Sequence, residues 1–167
     1  MSRATRIASP VVLALALTAA AGCGDAGTPR LQPGHDGNGM VPITEINGAV
    51  PPETATYAAR SVVIQESPTQ SGEITSISRT TRLPGTRAPI HMHPYGGTTC
   101  VLEGEMTLYL EGARPARAPA GSCYFMPPGR AMTGVNTGAG TAVMLDIFTA
   151  PPGAPTTEFR EPGFIEE

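Results

Sequence analysis

The sequence has no tryptophan and no lysine, and only 5% of its 167 residues are aromatic. All eleven basic residues are arginine, charged residues make up 15% of the chain, and the formal net charge is −3. A protein that binds a nucleic-acid backbone needs a cluster of basic residues, and this sequence has none. The composition therefore argues against a nucleic-acid partner, and equally against a coiled coil or a protein with several membrane spans.

Glycine (20 residues) and proline (18 residues) are abundant, which is typical of short strands joined by turns. After Gly39 no twelve-residue segment keeps a 3.6-residue apolar period, so no helix is predicted. The β-prone runs between turn residues predict eight strands, at 58–65, 73–83, 90–93, 98–103, 106–110, 123–126, 131–135 and 141–148. The length allows one domain, and eight strands at this spacing predict an all-β barrel or double-sheet jelly roll.

The N-terminal residues 1–22 have the features of a signal peptide. Arg3 and Arg6 precede the apolar stretch Val11–Ala21, which is too short to span a bilayer. The residues ending at Cys23 (Ala-Ala-Gly-Cys) resemble a bacterial lipobox, which implies lipidation of Cys23. Cleavage at Ala19–Ala21 instead would leave a plainly secreted protein.

Downstream of Cys23 the sequence predicts three further parts. Residues 23–54 are expected to form a flexible tether, because Gly24–Gly39 is too poor in apolar residues to build a core. Residues 55–150 are expected to form the barrel, and residues 151–167 a tail around its outside. We expect an exported lipoprotein of the bacterial cell membrane, on the extracytoplasmic face, that contacts the membrane through its lipid alone.

The strongest chemical signal is a pair of histidines in one predicted strand. Residues i and i+2 of a strand point to the same face, about 6.6–7 Å apart, so His91 and His93 can direct both imidazoles toward one point. Glycines surround them at fixed spacing, in the pattern Gly85-x5-His91-x-His93-x3-Gly97-x6-Gly104. A second pattern follows, Gly121-x5-Pro127-x-Gly129-x2-Met132-x3-Asn136.

These two motifs resemble those of the cupin superfamily, and the resemblance covers roughly residues 58–150. It implies a single-domain cupin jelly-roll β-barrel of the conserved-barrel type. In metal-binding cupins the ligands are two histidines and a glutamate from the first motif and a histidine from the second. Here the glutamate position is Gly97, or Thr98 with the longer spacing of the motif, and the last histidine position is Met132. Two of the four expected ligands are therefore absent.

The remaining histidines leave several kinds of site open. His91 and His93 can bind one divalent transition metal, or copper with Met132 as a third, soft ligand, or no metal at all. Asp146 or Glu103 could replace the missing carboxylate. Without a metal, neutral imidazoles can hydrogen-bond a ligand or act as acid and base. We expect a small-molecule pocket lined by His91, His93, Tyr95, Thr99 and Met132. The alternative is a metal-dependent enzyme of dioxygenase or isomerase type with an atypical metal shell.

The resemblance also carries implications for two cysteines and for assembly. In a cupin jelly roll, the strands that hold Cys100 and Cys123 run side by side, which implies a disulfide between them. Cupins commonly pair through their sheets, so a homodimer is a possible assembly.

Overall fold

The computed structural model of the protein describes residues 41–165. Cys23, the expected signal peptide and residues 23–40 of the expected tether lie outside that range. The described residues form twelve strands, which are Thr54–Ala55 (β1), Arg60–Pro68 (β2), Ile74–Arg82 (β3), Thr86–Arg87 (β4), His91–Met92 (β5), Gly97–Glu103 (β6), Glu105–Leu110 (β7), Ala116–Pro119 (β8), Cys123–Met126 (β9), Met132–Asn136 (β10), Ala142–Ala150 (β11) and Glu158–Phe159 (β12). In this range no helix has the length and apolar character needed to cross a membrane.

The strands form two sheets. One sheet has five strands in the order β2-β3-β11-β6-β9. The other has seven, with the path β1-β4-β10-β5-β12, and β10 also pairs with β7, which pairs with β8. Nearly all of these pairs are antiparallel, as expected for a jelly roll joined by short turns. The predicted all-β class is confirmed.

The disulfide implied by the family resemblance joins two neighbouring strands. Cys100 on β6 and Cys123 on β9 stand opposite each other in the ladder, and their sulfurs are bonded. The bond closes a loop across 23 positions of sequence and ties the edge strand β9 to the sheet.

Strand β3 has an unusual polarity, because its inward face is polar. Its alternate residues Ser76, Ser78, Thr80 and Arg82 face the barrel interior, where they line a cavity. The cavity is also lined by four buried methionines, of which Met126 and Met144 lie in the same sheet as β3 and Met106 and Met132 in the other sheet. The space between the sheets is therefore polar along β3 and bordered by flexible thioether side chains from both sheets.

Residues 41–54, which the sequence assigned to the tether, pack against the barrel. Ile46 is 5% exposed and belongs to a core cluster with Ile90 and Ala131. The Asn47 side chain donates hydrogen bonds to the carbonyls of Leu110 (3.0 Å) and Ala113 (2.9 Å). The folded part thus begins before residue 55. Further contacts hold this segment, since the Ile43 amide donates to the Arg160 carbonyl and Arg87 donates to the Glu53 carbonyl.

The C-terminal residues also differ from the expectation of an external tail. Residues 151–165, here called the C-terminal strap, add strand β12 to β5, with Phe159 opposite His91. The amides of Arg160 and Glu161 both donate to the Ile90 carbonyl, at 2.8 and 3.0 Å. Through Thr156, Thr157 and Phe159 the strap becomes part of the cavity wall.

A buried ion pair fastens the strap. The guanidinium of Arg87 donates to both carboxylate oxygens of Glu161, at 2.6 and 2.8 Å, and the Ile90 amide donates to the same carboxylate at 2.8 Å. Burial alone would raise the pKa of Glu161, but the hydrogen bonds from Arg87 and Ile90 outweigh it and lower the pKa below its ordinary value of 4.5.

We predict that Glu161→Gln lowers the free energy of unfolding at pH 7 by about 2–3 kcal/mol, because it removes the charge from a buried, fully bonded pair. A carboxylate whose pKa is lower in the folded state stabilises the fold above its unfolded pKa and loses that effect as the pH falls through the folded value. The gap between the wild type and Glu161→Gln should therefore narrow in acid. Urea unfolding across the pH range measures both effects.

The matched control is Glu105→Gln, which breaks the exposed ion pair with Arg117. This substitution should lower the free energy of unfolding at pH 7 by much less than Glu161→Gln does, because exposed ion pairs are screened by water. A Glu161→Gln variant as stable as the wild type would show that the strap is held by its backbone contacts alone.

Candidate functional site

The two histidines lie side by side at the wall of the barrel cavity. His91 in β5 is held between β10 and β12, opposite Met132 and Phe159. His93 follows two residues later, and the two rings meet edge to face with their centroids 4.8 Å apart. Both side chains are buried, at 8% and 3% exposure.

Backbone carbonyls fix the tautomer of each ring. The Nδ1 atom of His91 lies 2.7 Å from the Pro89 carbonyl, and that of His93 lies 2.6 Å from the Thr156 carbonyl. A carbonyl oxygen can only accept, so each Nδ1 carries the proton and donates it. In the neutral rings both Nε2 atoms are then left with lone pairs, and these atoms face each other at 3.1 Å.

The neutral form of both rings is favoured by burial. Burial lowers the pKa of His91 to about 3, with the nearby His93 and Arg82 acting in the same direction against the Pro89 carbonyl. Burial also lowers the pKa of His93, although the Thr156 carbonyl and the Asp146 carboxylate oppose it. Two facing lone pairs repel each other unless a positively charged centre lies between them.

This arrangement fits a metal ion. Two nitrogens bonded to one transition-metal ion at about 2.1 Å lie roughly 3.0–3.4 Å from each other, and the Nε2 atoms satisfy that condition. Metal-binding histidines also typically donate their other ring N–H to a carbonyl or carboxylate, as both do here. Among residues 41–165, however, no group of three or more histidine, cysteine, aspartate or glutamate side chains is placed to hold a metal.

The cavity beside the histidines has a volume of about 350 Å³. Besides the β3 face and the methionines, its walls include Thr99, Tyr124, Asp146 and Phe148. The Thr99 hydroxyl donates to the Asp146 carboxylate at 2.6 Å. Burial and Asp146 raise the pKa of Tyr124 well above its ordinary value, so its phenol stays protonated and can donate a hydrogen bond.

Four of the five residues expected in the pocket line this cavity, namely His91, His93, Thr99 and Met132. Tyr95 is 47% exposed and does not contribute to the wall. Of the two carboxylates considered as replacement ligands, Asp146 lines the cavity and Glu103 is exposed at the end of β6. Asp146 nevertheless forms no three-membered ligand group with the histidines in the described range.

The ring of Phe148 explains why position 97 has no side chain. A Cβ atom on Gly97 would lie 2.5 Å from the Cδ1 and Cε1 atoms of that ring. The ring itself packs on His93, with centroids 4.6 Å apart. The space where the family's glutamate would begin is thus already occupied by Phe148.

Arg82, Tyr124 and Phe148 are among the cavity residues that the sequence analysis did not identify. One signal could have found the first, because Ser76, Ser78, Thr80 and Arg82 alternate along one strand and must share a face. Phe148 gave no such signal, since it looks like an ordinary apolar residue of the last long strand.

We predict that Gly97→Ala lowers the free energy of unfolding by about 1–3 kcal/mol, because the new methyl group overlaps the Phe148 ring. Phe148→Leu in the same chain should recover part of that loss, giving a coupling of about 1 kcal/mol in a double-mutant cycle measured by urea unfolding. Gly140→Ala is the control, since no atom lies within 4 Å of its would-be Cβ. Additive effects of the 97 and 148 substitutions would contradict the overlap.

Comparison with known proteins agrees with this architecture. Residues 78–148 match the family model described as Cupin domain. Among solved structures, DMSP lyase DddQ from Ruegeria pomeroyi DSS-3 is 18% identical, with 64% of this chain and 53% of that chain covered and a TM-score of 0.51. This chain therefore spans about half the length of that lyase, and an identity this low indicates a shared fold alone.

Two more solved structures are similar at lower TM-scores. An uncharacterized conserved protein with a double-stranded beta-helix domain from Klebsiella pneumoniae subsp. pneumoniae MGH 78578 is 20% identical, with 65% of this chain and 85% of that chain covered (TM-score 0.49). A Cupin 2 conserved barrel domain protein from Salinispora arenicola CNS-205 is 22% identical, with 56% and 76% covered (TM-score 0.46).

No curated protein sequence matches the chain. The family match and the two-sheet barrel nonetheless agree with each other. The protein has an all-β cupin fold, and residues 78–148 are the part that matches the cupin domain model.

Proposed function

We propose that this protein binds a small organic molecule inside its barrel, and that His91 and His93 hold one transition-metal ion beside it. The observation that carries the proposal is the 3.1 Å distance between the Nε2 atoms of His91 and His93. The Nδ1 atom of each ring donates to a backbone carbonyl, so neither Nε2 atom carries the proton of its neutral ring. When bound, such an ion would act as a Lewis acid toward an oxygen of the ligand.

The side chains around the histidines have separate tasks in this proposal. The carbonyls of Pro89 and Thr156 orient the two rings and keep both Nε2 lone pairs directed into the cavity. The four methionines make part of the cavity lining apolar and adapt to the shape of the ligand. Met132 stands opposite His91 in the ladder and lines the same cavity. Its thioether could therefore serve as a third ligand to a soft ion such as copper(I).

We predict that the purified full chain, after chelation, binds about one Co²⁺ or Cu⁺ ion per molecule, measured by calorimetry and by the cobalt absorption spectrum. Loss of a residue that only hydrogen-bonds a metal ligand already weakens metal binding by about 10–100-fold. His91→Ala and His93→Ala, which remove the ligands themselves, should each weaken binding by at least about a hundredfold. Circular dichroism checks that both variants remain folded.

His35→Ala is the matched control, because His35 is the third histidine of the chain and lies outside the described residues. It should bind metal as the wild type does. Met132→Leu keeps the side-chain size and removes the sulfur, so a selective loss of copper(I) affinity would assign the thioether as a third donor, and unchanged affinity would exclude it. Equal binding by the wild type and the His91→Ala/His93→Ala double variant, or no binding by the wild type, would refute the metal site.

We also propose that the protein works outside the cytoplasm, attached to the bacterial membrane by lipid on Cys23. The Cys100–Cys123 disulfide supports this location, because disulfides persist mainly in oxidising compartments. We predict that, in a bacterial host, the wild type incorporates labelled palmitate and fractionates with membranes, whereas Cys23→Ala does neither. An unlabelled wild-type protein in the periplasmic or culture fraction would instead indicate plain secretion.

A further inference from the structure

Arg82 places a positive charge inside the barrel. Its side chain lines the cavity and the residue is only 6% exposed. Within residues 41–165 its guanidinium makes one hydrogen bond, from Nη1 to the Thr56 carbonyl at 3.2 Å, and takes part in no ion pair. Most of the donor capacity of this buried group is therefore unused by the chain itself.

An unpaired buried cation is costly to a folded protein, and it is normally matched by a carboxylate. Arg87 shows the ordinary solution in this same fold, since its guanidinium is bonded through two nitrogens to Glu161. Burial lowers the pKa of Arg82, against the opposing influence of Tyr124 and Asp146, but an arginine in a protein stays charged. A bound anion would give Arg82 the partner that Arg87 already has.

The rest of the cavity limits which anion fits. Asp146 also lines it and forms no ion pair with Arg82, so a ligand with a second negative charge would be repelled. Tyr124 can donate a further hydrogen bond, because its phenol stays protonated. The four methionine side chains that line the cavity offer apolar contacts to a ligand, and a volume of about 350 Å³ admits only a small molecule.

We infer that the ligand is a small organic monocarboxylate whose carboxylate pairs with Arg82 and whose apolar part lies against the methionine side chains of the cavity. The inference rests on the proposed binding function and names the chemical class of its ligand. Arginine suits the task, since its planar fork matches a carboxylate through two parallel hydrogen bonds.

The test uses acid and amide probes of equal size, namely benzoate with benzamide and hexanoate with hexanamide. Dissociation constants are measured by calorimetry on the full chain after chelation, so that a bound metal cannot supply the preference for an acid. Each acid should bind about tenfold or more tightly than its amide, because a hydrogen-bonded charge pair forms with the acid alone. Succinate should bind more weakly than hexanoate, since it brings a second charge toward Asp146.

The key variant is Arg82→Met, which keeps the length of the side chain and removes the charge. It should abolish the preference for the acids while leaving the unliganded protein at least as stable as the wild type, since it removes an unpaired buried cation. Arg79→Met is the matched control, because Arg79 lies on the same strand with its side chain exposed. The affinities of this variant for the four probes should stay within about twofold of those of the wild type. If Arg82→Met does not fold, Arg82→Lys replaces it, and this variant should keep a weaker preference for the acids.

The outcomes separate the ligand class from the function itself. Equal binding of acids and amides, or an acid preference that survives in Arg82→Met, would overturn the inference that the ligand is a carboxylate paired with Arg82. The proposal that the cavity binds a small molecule would still stand. If no probe binds while Co²⁺ binds through the histidines, the carboxylate class fails and the metal site stands. If neither binds, both proposals fail.

Discussion

The site depends on two hydrogen bonds from histidine Nδ1 atoms to backbone carbonyls. One carbonyl, that of Pro89, lies two residues from His91, but the other belongs to Thr156 on the C-terminal strap. The strap is held in turn by the Arg87–Glu161 pair and the Ile90 backbone. The Arg87–Glu161 pair, whose glutamate lies 68 positions along the chain from His93, thus helps to fix the orientation of the His93 ring. That orientation is what brings the two Nε2 atoms together.

The interior of the barrel is divided between two kinds of surface. The β3 face presents hydroxyl groups and Arg82, whereas four other strands from the two sheets present one thioether each. A barrel selected for stability alone would fill this space with close-packed apolar side chains. The polar face and the unpaired guanidinium lower stability, and local costs of this kind are expected where a protein has a binding task.

Position 97, where the resemblance to metal-binding cupins implies a glutamate, has no room for a side chain. Gly97 has no side chain, and the Phe148 ring occupies the space beside it and packs on His93. Restoring a carboxylate at position 97 would therefore require a change at position 148 as well. The two histidines remain without that ligand, in contact with an aromatic ring on one side and facing Met132 across the ladder on the other.

The sequence by itself determined the all-β class, the approximate strand positions, the shared face of His91 and His93, and the loss of two ligand positions. These follow from local rules, since strand alternation and turn glycines act over a few residues. Only the tertiary structure decided that residues 41–54 and the strap join the barrel, that Arg82 lies unpaired in the cavity, and that Phe148 occupies the space beside Gly97. Each of these depends on contacts between residues far apart in sequence, and alternation within a strand says which residues share a face but not what that face will meet.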